Sequence, residues 1–149
     1  MPYQAKHGRH VTAVEQVKGA TRRTLVDGEK MMIIEWTMES GTTIPLHHHP
    51  HEQSGYIASG EMIFNVEGQE HHLTPGMGYL VTGHEPHGAR FDVPTVVVDI
   101  FSPPREDYRG DKPSTYQVVD AAKPAAGKKS AAMAKAAVKK RPSPKPPEN

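Results

Sequence analysis

The stretch LHHHPHEQSGY, residues 46–56, carries four of the ten histidines of the chain within five positions. Neutral imidazole is a common ligand for divalent metals, and a chain without cysteine can build a metal site only from histidine, carboxylate or amide oxygen. In an extended segment side chains at i and i+2 share a face, so His47 and His49 aim together and His48 aims the opposite way. His51 has the same parity, but Pro50 lacks an N–H and marks a strand end or turn, which leaves His51 open. A second histidine-bearing stretch, PGMGYLVTGHEPHG at 75–88, ends in Pro86-His87.

Rigid strands would have to position these groups, and residues 10–120 read as many short strands punctuated by glycine and proline. Asp27-Gly28 signals a hairpin leading into an apolar run from Met31 to Met38. Ser59-Gly60 predicts a turn before Met62, Phe64 and Val66 alternate with Glu61, Ile63 and Asn65. Pro75-Gly76 precedes a strand from Gly78 to Thr82, and TVVVDIFSP supplies a β-branched strand ended by two prolines. No amphipathic helix of ten or more residues, phosphate-binding glycine loop, nucleophile elbow or internal repeat stands out. The pattern predicts an all-β sandwich or barrel.

The 149 residues suit one domain able to bury a core without disulfides. A net charge of +1 hides two opposed parts. Residues 1–120, the predicted domain, hold 10 Lys and Arg against 16 Asp and Glu, while residues 121–149 hold 8 against 1. The segment AAKPAAGKKSAAMAKAAVKKRPSPKPPEN has no aromatic residue, so its composition predicts a disordered basic tail. It looks like the basic tails of linker histones, which implies non-specific binding of polyanions by counterion release or a purely solubilising part. No base-reading module accompanies it. The N-terminus has no apolar run of signal-peptide length, and no stretch nears the roughly 20 apolar residues of a membrane span, so the reading is soluble and cytoplasmic.

The spacing around the histidines is Gly41, five residues, His47, one, His49, three, Gln53, six, Gly60. Together with Pro75-Gly76 and Pro86-His87 it resembles the two motifs of the cupin superfamily, over roughly residues 20–105. The resemblance implies a double-stranded β-helix, a jelly-roll barrel, with a divalent metal inside held by His47, His49, Gln53 and His87; it also implies an edge-paired homodimer. Zinc, nickel, iron and manganese all suit imidazole and amide oxygen. The usual glutamate is Gln53 here, with Glu52 one place early. Parity and the spacing to Gly60 favour Gln53, and the alternative is that Glu52 turns inward. A neutral amide leaves a divalent ion its full +2 charge and makes a stronger Lewis acid. His48, His51, His71, His72 and His84 are expected beside the site or on the surface, one of them or Glu52 serving as the outer partner of a ligating imidazole.

In VVVDIFSPPREDY, Asp99 and Phe101 share a face of an apolar strand. A charge amid Val96, Val97, Val98 and Ile100 is either outward-facing, paired with Arg90 or Arg105, or catalytic. With HHHPHEQ this segment looks like the pectin-degradation cupins that open the ring of 4,5-unsaturated monouronates. Their aspartate, aromatic and arginine match Asp99, Phe101 and Arg105 by spacing. The resemblance implies ring opening of a sugar acid to a linear 5-keto-4-deoxyuronate, with Asp99 as general acid/base, Arg105 anchoring the substrate carboxylate and Phe101 as cavity wall. Two rivals are a cupin oxygenase and a non-catalytic sugar-acid-binding cupin.

Overall fold

A computed structural model describes residues 3–119. The predicted tail, residues 121–149, lies outside the described residues. Eleven strands make up the described chain: β1 (Val14–Val17), β2 (Ala20–Asp27), β3 (Met32–Met38), β4 (Thr42–His48), β5 (Glu52–Ser59), β6 (Met62–Val66), β7 (Gln69–Leu73), β8 (Gly78–Val81), β9 (His87–Phe91), β10 (Thr95–Ser102) and β11 (Gln117–Val118). Two short 3-10 turns, Gly8–His10 and Glu106–Tyr108, are the helical elements among the described residues. No helix there is long and apolar enough to cross a membrane.

The strands form two antiparallel sheets, a larger one ordered β1-β2-β3-β10-β5-β8 and a smaller one ordered β11-β4-β9-β6-β7. This is the expected all-β jelly roll, and the punctuation read from the sequence is where the chain turns. β2 and β3 join through residues 28–31, with the Gly28 amide donating to the Met31 carbonyl over 2.9 Å. Gly60 ends β5 with φ of 79°, and a Cβ there would lie 2.3 Å from the Pro94 carbonyl oxygen, so only glycine fits this turn.

Period-two alternation gives each sheet one apolar inner face. On β3 the buried residues are Met32, Ile34, Trp36 and Met38; on β10 they are Thr95, Val97, Asp99 and Phe101. The inner faces enclose a core that adds Ile57, Met62, Phe64, Leu73, Val81 and Phe91. Each such side chain contributes about 1.5–3 kcal/mol through the apolar surface it removes from water. β10 lies between β3 and β5 in the centre of the larger sheet, so Asp99 is held on a strand paired on both sides.

The sequence reading named no strand of the predicted domain after the two prolines at 103 and 104, whereas the chain returns. Residues 105–118 cross back to the smaller sheet, where Gln117 and Val118 of β11 pair with His48 and His47 of β4. A buried arginine holds this return: the Arg22 guanidinium donates to the carbonyls of Tyr108, Gly110 and Lys112 at 3.0, 3.1 and 2.9 Å. Its Nε donates to Gln16 Oε1, and the Gln16 amide donates to Ser114.

Candidate metal centre

His47 and His87 are cross-strand partners on β4 and β9, with ring centroids 4.5 Å apart. His49 follows β4 directly, and Gln53 stands on β5 of the facing sheet, so the four groups converge from both sheets and the link between them. All four are buried, while Glu52 is exposed, so it is Gln53 that faces inward. A ligand atom from each histidine lies within 4.8 Å of the others. His48 is half-buried and does not join the three grouped imidazoles.

The imidazoles are oriented by main chain and not by the side chains expected from the sequence. His47 Nδ1 donates to the Pro45 carbonyl at 2.8 Å, His49 Nδ1 to the His51 carbonyl at 3.1 Å and His87 Nδ1 to the Glu85 carbonyl at 2.7 Å. A carbonyl can only accept, so each Nδ1 carries the proton and each Nε2 presents a lone pair. His51 thus helps through its backbone, and its own Nδ1 is buried without a partner among the described residues. His72 meets Glu61 on the surface, away from the site.

Gln53 adds a further acceptor. Its Oε1 lies 3.1 Å from His49 Nε2 and 3.2 Å from His87 Nε2, while its Nε2 donates to Asp99 Oδ2 at 3.0 Å and to the Tyr79 hydroxyl at 3.2 Å. The histidines do not resolve this convergence by protonating. Burial pushes His47 and His49 down to about 3, helped by the neighbouring His87 and by Arg105 respectively, and burial also lowers His87. Acceptor oxygen and nitrogen atoms facing one another in a buried site are satisfied by a cation, so these residues fit a divalent metal. All four donors are neutral.

Asp99 faces inward, 5% exposed, and neither of the arginines considered as partners binds it. Arg90 pairs with Glu70 on the surface, and Arg105 pairs with Asp107. The Asp99 carboxylate accepts from Gln53 and from the Tyr79 hydroxyl. Burial pushes its pKa up to about 6 against the lowering effect of those two hydrogen bonds. Tyr79 is pushed well above its usual range by burial and then by Asp99, so it stays a protonated donor.

His47, Gln53, Tyr79, His87 and Asp99 line a cavity between the sheets. Its walls are Trp36, Phe64, Phe91 and Phe101, together with Tyr108 and Tyr116 from the returning segment. Arg105 also lines it, buried over the Tyr108 ring at 4.0 Å and the Phe101 ring at 5.5 Å. One edge of its guanidinium is engaged, Nε and Nη2 donating to Asp107 at 3.1 and 2.7 Å. The Nη1 side makes no hydrogen bond among the described residues. Tyr79 and Tyr116 were not singled out from the sequence, and Asp107 and Tyr108 entered only within the stretch PREDY, which resembles the pectin-degradation cupins. For Tyr79 the signal existed, since it has the inward parity of Val81 on β8.

The cupin domain model matches residues 34–101, a span that contains His47, His49, Gln53, His87, Asp99 and Phe101. The chain is 30% identical over 95 residues to the pectin degradation protein KdgF of Dickeya dadantii (strain 3937), covering 56% of this chain and 86% of that protein. It is 31% identical over 72 residues to the L-ectoine synthase of Mycolicibacterium gilvum (strain PYR-GCK), covering 47% of this chain and 55% of that enzyme. The solved structure of KdgF from Halomonas sp. matches with a TM-score of 0.67 and 26% identity, over 72% of this chain and 99% of that one. With the jelly roll and the inward histidine set already in place, these matches identify the chain as a member of the cupin family.

Proposed function

We propose that the protein is a metal-dependent enzyme that opens the ring of 4,5-unsaturated monouronates. The relatives are named for different activities, one a pectin degradation protein and one an ectoine synthase, so the choice among them rests on the site. The observation that carries it is the direct contact between the Asp99 carboxylate and the Gln53 amide, in a cavity that also holds the Arg105 cation. A proton-transfer group, a metal ligand set and a carboxylate receptor are the parts that this isomerisation needs.

His47, His49, Gln53 and His87 would hold the metal, of which zinc, nickel, iron and manganese are candidates. When bound, a divalent ion on neutral donors supplies an undiminished +2 Lewis acid. Arg105 receives the substrate carboxylate on its Nη1 side, while Asp107 fixes the opposite edge. Asp99 in its acid form gives its proton to C4 of the 4,5-double bond. Its conjugate base then takes the proton of the anomeric hydroxyl as the C1–O5 bond breaks. The double-bond electrons become the new C4–H bond, C5 and C1 become carbonyls, and Asp99 recovers its proton. Nothing is oxidised, and the product is an isomer of the substrate. Phe101 and Tyr108 close the wall behind the reacting ring and keep water from it.

Incubation of metal-loaded protein with unsaturated monogalacturonate without oxygen, followed by trapping with a carbonyl reagent, tests this reading. The linear keto aldehyde should form at the same rate as in air. A requirement for oxygen would point to an oxygenase, and tight binding without product would point to a sugar-acid-binding protein.

A further inference from the structure

We propose that Tyr79, lying in a slot left open by Gly55, is a positioning residue that sets which end of the Gln53 amide faces the histidines. The inference rests on the four-residue metal set described above. Three inward positions stand in one row across the larger sheet: Asp99 of β10 is in register with Gly55 of β5, and Gly55 is in register with Tyr79 of β8. Its inward neighbours on β5 are the buried Gln53 and Ile57.

Gly55 is not at a turn and has no unusual backbone angle; what it lacks is bulk. A Cβ built there would lie 2.2 Å from Cε1 and Cζ of Tyr79 and 2.5 Å from its hydroxyl oxygen. The Tyr79 ring therefore occupies the space where a side chain at 55 would stand. That space lets a residue on the edge strand reach over the next strand to the centre of the sheet. There its hydroxyl donates to Asp99 and accepts from Gln53 Nε2 at 3.2 Å.

The Gln53 amide has two orientations to choose between. With its nitrogen toward the sheet, both N–H groups are used, one on Asp99 and one on Tyr79, and the carbonyl oxygen faces His49 and His87. Turned over, the nitrogen would donate to the imidazole lone pairs and occupy them, while the carbonyl oxygen would face the Asp99 carboxylate. The first orientation builds a metal site and the second caps it. Asp99 supplies one acceptor for the first and Tyr79 supplies the other; the Tyr79 proton, committed to Asp99, leaves a lone pair for Gln53. Removing the hydroxyl takes away one of the two bonds that keep the amide the right way round.

Cobalt(II) serves as probe, because its affinity and its visible spectrum can both be read without substrate. Tyr79→Phe keeps the ring and removes the hydroxyl, and should weaken cobalt binding about tenfold or more, in the range of other outer partners of metal ligands, with a shifted visible spectrum. Gly55→Ala should weaken binding by a similar factor, since a methyl group there displaces the ring. The double variant should lose no more than the larger single loss, because both act through one contact. Tyr79→Phe with wild-type affinity and an unchanged spectrum would overturn the inference, whether or not Gly55→Ala folds. Wild-type protein that binds no cobalt would overturn both this inference and the metal set. Failure to convert uronate by a protein that binds cobalt overturns the activity alone, and the affinity ratio then decides this inference.

Discussion

The Gln53 amide nitrogen lies 3.0 Å from Asp99 Oδ2, and the carbonyl oxygen of the same amide lies 3.1 Å from His49 Nε2. One planar group therefore joins the residue suited to proton transfer to the residues suited to hold metal. A glutamate at 53 would set a second carboxylate against Asp99 at hydrogen-bond distance, where two like charges disfavour each other strongly. Gln53→Glu is expected to bind divalent metal at least as tightly as wild type, because it adds a charge. It should turn over at least tenfold more slowly, because Asp99 loses a donor and gains a repelling neighbour. Isothermal titration with zinc and a steady-state assay together check this.

Metal binding should stabilise the fold, since the ligands come from both sheets. A ligand at a hundred times its dissociation constant adds about 2.7 kcal/mol, so chelator-treated wild type should gain several degrees in Tm when zinc is restored. His49→Ala should show no such gain. Equal zinc-induced shifts in the two proteins would argue against His49 as a ligand.

Arg105 combines a fixed edge on Asp107 with an Nη1 side lining the cavity. Lysine keeps the charge but cannot keep both contacts. Arg105→Lys should raise KM for the uronate by about tenfold or more, the scale of losing one charge-assisted hydrogen bond, with a smaller change in kcat. A kcat loss at constant KM would assign Arg105 to the chemistry instead.

Arg22, 1% exposed, is the donor for three carbonyls of the returning segment. Arg22→Met preserves much of its stem and removes the donor to the Gly110 and Lys112 carbonyls, while the Tyr108 carbonyl keeps the Thr24 hydroxyl at 2.7 Å. The cost should be about 3 kcal/mol, since hydrogen bonds to charged groups contribute about 1.5–3 kcal/mol each. Thermal denaturation should show Tm lower by roughly 10 °C or more. A drop of only a degree or two would mean that residues 108–114 are held by other contacts.

The strands and the inward parity of the histidine pair were legible because their signals are local, whereas the full ligand set came from the resemblance to cupins. Glycine and proline mark the turns, and period two puts His47, His49 and Gln53 on inner faces while turning Glu52 away. What escaped depends on contacts distant in sequence. Arg22 holds Tyr108 from 86 positions away, and after Pro103-Pro104 no alternation announces that the chain returns to line the cavity. The Tyr79, Gly55, Asp99 row arises from the register of three strands. The outer partners of the imidazoles escaped for another reason, being main-chain carbonyls of Pro45, His51 and Glu85, which no residue type betrays.

The central claim is that this metal set and Asp99 together open an unsaturated uronate ring. The most direct measurement is the ultraviolet absorbance of the 4,5-double bond of unsaturated monogalacturonate, followed with wild type, metal-stripped wild type and metal-loaded Asp99→Asn. Asparagine can still accept from Gln53, and its amide nitrogen meets the Tyr79 oxygen with the direction of that bond reversed, so the variant removes the transferable proton at nearly constant shape. Absorbance should fall with metal-loaded wild type, hold steady with stripped protein until metal is restored, and fall about a hundredfold or more slowly with the variant, as expected for loss of a general acid/base. Absorbance that stays constant with metal-loaded wild type, or falls equally fast with Asp99→Asn, would contradict the claim.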